Sequence, residues 1–320
     1  MLIKKCFLYV LFSVLAPSVV LGADQTVIQK PDVGTIVNIV KSGDPEKIVQ
    51  SGVNAVAGAV SEASKEMLLG FVPTAEVSIR VSGEYDTQGS ILFLAPLVES
   101  EDNRYLLFTQ GSVQFFDSRT TGNLGFGVRS LAMDDKVLFG INSVYDYEFP
   151  NDHQRMSVGA EVRTTVGELN SNYYWGLSGW KGVGGFLQER AMDGFDIELG
   201  MPLPYFPRTK FYGQYFKWEA QSGSLTEKGW RWSVEGEVAQ GIFVEVGHRD
   251  YDTAKDEVFA QLRFNIIEMM KKEEDEKPFF TNTAYTLGSM KEHRYDKVRR
   301  ENLIRKETRS AGILITVTGF

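Results

Sequence analysis

Glutamate and arginine recur in this sequence at alternate positions of otherwise apolar segments. In the run Asn123 to Arg129, Leu124, Phe126 and Val128 share one face, while Asn123, Gly125, Gly127 and Arg129 share the other. Trp230, Trp232, Val234 and Val238 likewise oppose Arg231, Ser233, Glu235 and Glu237, and Val258, Ala260, Leu262, Phe264 and Ile266 oppose Glu257, Gln261, Arg263 and Asn265. Charge confined to one face suits a hydrated lumen, where glycines leave room and opposite charges bridge. Arg129, Glu161, Arg163, Glu235, Glu245 and Arg263 are the candidate lumen-facing residues. A basic segment, Lys291 to Lys306, could thread such a lumen against acidic walls. Its spacing is equally consistent with a surface helix.

Other chemistries find little support. Catalysis at neutral pH would rest on His153 or His248 as base, each in or near an expected loop and without a recognisable serine partner, so no enzyme is expected. His153, His248 and His293, with Cys6 as the single cysteine, supply neither a Cys-rich zinc site nor a disulfide framework, and no metal or cofactor is expected. The stretch Gly179 to Gly185 is rich in glycine but lacks the Lys-Ser/Thr and helix of a phosphate-binding loop, and is expected to be a flexible outer loop. With 34 basic and 42 acidic residues the formal charge is −8, which argues against a nucleic-acid partner. The mixed-charge run Lys271 to Lys277 reads as a solvated turn.

The elements that must position these residues are strands. Gly 31 in 320 residues exceeds the usual ~7%, and 21 Phe, 13 Tyr and 5 Trp make the chain rich in aromatics without long apolar runs. Lys4 and Lys5 precede an apolar run that contains Pro17 and ends at Leu21-Gly22, so residues 1–22 are expected to be a cleaved signal peptide. Residues 23–72 are expected to form a periplasmic helical segment: Asp44-Pro45 resembles an N-cap, and Val49, Val53, Val56, Val60, Ala63 and Met67 follow at helical spacing. Within residues 73–268 the period becomes two, and segments of about ten residues separated by turn residues mark a transmembrane antiparallel β-barrel. Twelve strands are expected, near 74–83, 88–98, 104–117, 120–132, 136–149, 154–166, 168–180, 189–203, 209–220, 229–239, 241–251 and 256–267. Tyr145, Tyr147, Trp180, Trp218, Trp230 and Trp232 are candidates for interfacial girdles, with some expected to pack inward or in loops.

Ordered motifs then point to a family. Ala75-Glu76-Val77, Leu92 to Leu97, Leu106 to Gln110, Asp117 to Thr120, Asn123 to Arg129, Asn142 to Tyr147, His153 to Arg155, Val158 to Glu161 and Gly176 to Trp180 succeed one another in an order that resembles the intimin/invasin inverse-autotransporter β-domain. Gly194 to Asp196, Gln214 to Phe216 and Gly247 to Arg249 extend the likeness, and Arg294 to Asn302 resembles that family's post-barrel linker, with Arg294, Tyr295, Asp296, Val298, Arg300 and Asn302 as the linker motif. The resemblance implies a twelve-stranded outer-membrane barrel of Gram-negative type whose linker, within residues 269–320, runs back through the pore. It also implies outer-membrane lipid, barrel-assembly machinery and periplasmic chaperones as partners, and leaves a homo-oligomer open. The likeness runs over about residues 66 to 307 and only residues 308–320 follow it, so the expectation is a translocation and anchoring unit without an adhesin passenger. A porin-like channel or a structural outer-membrane protein is the alternative.

Overall fold

The computed structural model describes residues 72–83, 87–223, 225–252, 254–270 and 278–310. The expected signal peptide, the N-terminal helix, the run Lys271 to Lys277 and the final segment 311–320 lie outside them. Twelve strands close into one antiparallel barrel: β1 (Thr74–Ser82), β2 (Gln88–Glu99), β3 (Tyr105–Phe116), β4 (Arg119–Ala132), β5 (Val137–Phe149), β6 (His153–Thr164), β7 (Gly167–Gly176), β10 (Asp193–Leu203), β11 (Phe206–Glu219), β12 (Thr226–Ala239), β13 (Ile242–Tyr251) and β14 (Glu257–Asn265). Closure comes from β1 pairing with β14, Val77 opposite Phe264. A short helix α1 (Ile266–Met270) follows the last strand, and a 3-10 turn spans Glu292–Tyr295. Two more strands, β8 (Lys181–Gly184) and β9 (Leu187–Ala191), form a hairpin beyond β7, and β15 (Lys306–Ser310) pairs with β9.

The alternation written in the sequence is the alternation of the wall. Phe126, Val128, Ile141, Val158, Leu199, Trp230, Trp232 and Leu262 are exposed on the outside, whereas Asn123, Arg129, Asn142, Glu161 and Arg263 are buried within. Trp230 and Trp232 stack outside at 5.3 Å and an interplanar angle of 6°. Trp218 and Tyr147 face inward instead, Trp218 packing with Tyr174, Met192, Phe216 and Tyr251. No described helix is long and apolar enough to cross a membrane. Ile141→Arg, on the apolar band, is expected to destabilise the barrel by about 2–4 kcal/mol, measurable by urea unfolding in lipid vesicles.

Turn chemistry sets the register. β3 and β4 are joined by Asp117 and Ser118, both left-handed with φ of 48° and 57°, the two-residue turn whose twist matches that of paired strands. Inside, Gly127 stands opposite Phe108, and a Cβ there would come within 2.4 Å of that ring. The glycine thus lets Phe108 lie flat against the wall, where it joins Leu94, Leu106 and Val298 in an inner apolar cluster.

The expected strands near 168–180 and 189–203 need correction. The barrel strand β7 ends at Gly176, residues 181–184 and 187–191 belong to the separate hairpin, and the wall resumes at Asp193. The Gly179 to Gly185 stretch is therefore partly strand β8 rather than a free loop. Trp180, rather than joining a girdle, lies beside this hairpin between the guanidinium groups of Arg190 and Arg309, at 4.9 and 4.0 Å from its ring. The connection expected between 203 and 209 contracts to a turn at Pro204-Tyr205, with Tyr205 left-handed. Alternation reports parity along a strand but cannot tell a hairpin that leaves the wall from one that continues it.

Candidate functional site: a linker seated in the lumen

After the barrel closes, the chain crosses the end at which β1 begins and β14 finishes. Thr281 N donates to the Tyr205 carbonyl at the β10–β11 turn, Gly288 N to Thr165 Oγ1 at the β6–β7 turn, and Met290 N to the Asp135 carbonyl at the β4–β5 turn. Met290 is buried against Leu131 and Leu138 at this rim. The 3-10 turn then directs the chain inward, and Arg294 Nε donates to the Lys291 carbonyl within it. Tyr295 completes the turn inward, its hydroxyl donating to Glu99 and its carbonyl accepting from Thr74 Oγ1. The surface-helix alternative for Lys291 to Lys306 is limited to that single turn, because beyond it the described backbone contains no further helix. β15 emerges at the opposite end and adds a third strand to the β8–β9 hairpin, Thr308 opposite Glu189.

Inside, wall side chains bond the linker backbone. Arg129 Nη1 donates to the carbonyls of Arg294 and Asp296 (both 2.6 Å), Arg163 Nη2 to that of Lys297 (2.9 Å) and Asn172 Nδ2 to that of Arg299 (2.9 Å). Arg155 reaches the carbonyls of Glu301 (2.7 Å) and Leu303 (2.9 Å), and Asn123 that of Asn302 (3.0 Å). Val298 N donates to Gln110 Oε1 and Glu301 N to the Tyr174 hydroxyl, each at 2.8 Å. These contacts answer the linker's need for partners, since a buried extended chain otherwise strands its carbonyls and amides.

Linker side chains make a second set of bonds. Arg300 grips Asp146 through two nitrogens at 2.8 and 2.7 Å, Asp146 also receiving Arg155 Nε at 2.7 Å. Arg299 pairs with Glu198, Lys297 with Glu76 at 2.8 Å, and Glu301 with Arg249 at 3.4 Å. Val298 fills the inner apolar cluster, Asp296 sits 2.9 Å from His293 Nδ1, and the Asn302 side chain accepts from Arg300 at 3.3 Å.

The six candidate lumen residues all occur in this interior. Arg129 and Arg163 bracket Glu161 at 2.5 and 2.6 Å, Arg263 joins Glu76 (2.8 Å) to Glu235 (3.0 Å), and Glu245 lies 3.5 Å from Arg231. Asp146, Arg155, Asn172 and Glu198 were not singled out from sequence, though they have the inward parity of their strands. What sets them apart is contact with the linker, which no strand pattern encodes.

At the far rim, Arg119 bridges Glu189 (2.6 Å) and Glu148 (3.2 Å), and Lys306 of the linker reaches Glu148 at 2.6 Å. Glu148, His153 and Glu189 bring potential ligand atoms within 4.8 Å of one another, but both carboxylates already hold these cations, so the group reads as an ion-pair knot. In the hairpin, burial pushes the Glu189 carboxyl up, but His153, with Nε2 3.5 Å away, and Arg119, which donates to both carboxylate oxygens, outweigh it and lower the pKa from 4.5 to about 2. Glu307 is also lowered: burial raises it, while Ser222 and Arg190 bond the charged form. Because the folded Glu189 value lies below the unfolded one, its contribution is present above about pH 4.5 and lost as pH falls toward 2. Docking of the β8–β9 hairpin on the rim is expected to hold from neutral pH to about 4.5 and to loosen below it, read as rising mobility of a spin label at Gly182→Cys.

Comparison with known proteins now decides the family. Residues 35–302 match the inverse autotransporter β-domain. The chain belongs to that family. It is 34% identical over 172 residues to an attaching and effacing protein homolog of Escherichia coli (strain K12), covering 51% of this chain and 57% of that protein. It is 26% identical over 283 residues to intimin of Escherichia coli O127:H6, covering 85% of this chain and 29% of intimin, and 30% identical over 194 residues to invasin of Yersinia enterocolitica, covering 60% and 22%. The chain thus spans little more than half of the first relative and under a third of the other two. A solved structure from a study of in-meso crystallization of membrane proteins shares the fold, with a TM-score of 0.62 at 24% identity over 75% of this chain and all of that one. The protein is an outer-membrane β-barrel of the inverse-autotransporter kind, a family of anchoring barrels rather than of enzymes.

Proposed function

We propose that this protein is an anchoring and translocation unit of type V secretion, delivered by a cleaved signal peptide at residues 1–22 and inserted with the start of β1 and the finish of β14 both facing the periplasm. In this reading residues 23–72 are a periplasmic segment, residues 73–268 the barrel, and the linker within 269–320 carries the chain outward to the cell surface. Periplasmic chaperones and the barrel-assembly machinery are the partners that such insertion requires, and outer-membrane lipid surrounds the apolar band.

The observation that carries the reading is the path of the linker. It enters where the barrel's first strand begins, runs extended between the walls, and pairs at the opposite end with a hairpin that is not part of the wall. A chain serving only as a plug has no need of a strand docked beyond the far rim.

The test uses Ser310→Cys in a Cys6→Ser background, with intact cells treated with a membrane-impermeant maleimide and Ser51→Cys as the periplasmic control. Labelling of position 310 but not 51 is the expected result. Labelling of 310 only after the outer membrane is permeabilised would overturn the topology. The polar cavity beside the linker favours a second reading, a channel closed by its own linker.

A further inference from the structure

The two sets of linker contacts come from different parts of the wall. Donors to linker carbonyls (Asn123 and Arg129 on β4, Arg155 and Arg163 on β6, Asn172 on β7) all stand on one side of the barrel. Across the lumen the same stretch of chain borders a polar cavity of about 120 Å³, lined mainly from β1, β2 and β11 to β14 by residues such as Ser78, Arg80, Gln214, Glu245 and Gln261. The linker backbone is held by donors on one wall, and on the other side it borders this polar cavity.

Its side chains divide accordingly. Lys297, Arg299 and Glu301 reach toward Glu76, Glu198 and Arg249 on the side of β1, β10 and β13. Val298 and Arg300 turn the other way, into fitted places: Val298 among Leu94, Leu106 and Phe108, and Arg300 on Asp146.

We infer that the donors on β4, β6 and β7 form a track for extended polypeptide backbone that does not depend on sequence, and that Val298 and Arg300 are the residues that stop the chain in this register. A carbonyl is the same in every residue, so arginine and asparagine donors aimed at carbonyls bind any extended segment and let it be replaced by the next. The cavity opposite accepts side chains of varied size and charge, because water completes their hydrogen bonds. A segment presenting an apolar residue and, two positions later, an arginine satisfies both fitted places at once, while the ion pairs of Lys297, Arg299 and Glu301 lie on the cavity side. The substrate class is an unfolded polypeptide passing outward. This inference rests on the export topology proposed above.

The test works in the full chain with Ser310→Cys and Cys6→Ser. One variant carries residues 296–303 in scrambled order, so that composition and length are kept while position 298 is no longer apolar and position 300 no longer arginine. Surface labelling of residue 310 is expected to stay within about twofold of the native linker, because the backbone bonds persist. Amides 297–303 are expected to exchange about tenfold faster, because the register is no longer fixed. A second variant, Arg155→Met with Asn172→Leu, alters the track, and labelling is expected to fall about tenfold with either linker. Its folding is checked by the heat-modifiable mobility of the barrel on gels. The inference is overturned if the scrambled linker loses labelling while the native linker keeps it, or if the folded track variant labels as well as the parent. Failure of the native linker itself to label would sink the export topology instead, and the scrambled variant leaves the barrel untouched, so the two failures are distinct.

Discussion

Asp146→Arg is expected to unseat the linker. Asp146 is fully buried and receives Arg155, both terminal nitrogens of Arg300, and Asn123 at 2.7 Å. Reversing its charge places three guanidinium groups together in a confined space. Removing one partner of a buried pair already costs about 3–5 kcal/mol because the other charge is left uncompensated, and reversal adds repulsion to that loss. The barrel can relieve the cost by releasing Arg300, and residues 296–305 with it. Hydrogen exchange along those residues should accelerate, while the strands, held by their own ladders, remain protected. Arg300→Asp in the same protein restores one opposite pair and should recover part of the protection. Unchanged exchange in Asp146→Arg would mean that the backbone bonds alone hold the linker.

Deleting residues 291–310 is expected to produce an open pore, with single-channel conductance in planar bilayers rising by about tenfold over the parent. Barrels of about eight strands are filled by their own side chains and those of sixteen or more leave an aqueous channel, so twelve strands with an inner face rich in glycine and charge fall where a seated linker decides the bore. The deletion also changes selectivity. Glu76, Asp146 and Glu198 lose Lys297, Arg300 and Arg299, whereas among the basic wall groups Arg249 loses Glu301 and Arg129 loses only carbonyls. The freed carboxylates should make the pore favour cations, and a reversal potential in a salt gradient reads this directly. An unchanged conductance would count against the closed-channel reading and show that the walls fill the lumen without the linker.

Both results depend on residues whose importance the chain reveals unevenly. Alternation of Leu124, Phe126 and Val128 with Gly125, Gly127 and Arg129 is local information, because the side-chain period of a strand is two wherever the strand lies. For that reason the class of fold can be read from sequence, and Arg129, Glu161, Arg163 and Arg263 carry the inward parity there, while Arg294 to Asn302 is a linker motif only through family likeness. The β8–β9 hairpin was not legible, since Lys181 to Gly184 is rich in glycine and reads as loop, Leu187 to Ala191 carries no alternation, and both become strands only by pairing with each other and with β15. Nor was the role of Asp146, which has the same inward parity as Asn142 and becomes the anchor of the linker only because Arg300, distant in sequence, comes to lie against it. Sequence by itself determined which faces are greasy and which are charged, because that is a matter of neighbours along the chain. The tertiary structure alone decided which charges meet and which wall holds the linker, because barrel closure brings β1 to β14 and the linker to β4, β6 and β7, and such contacts depend on the path of the whole chain.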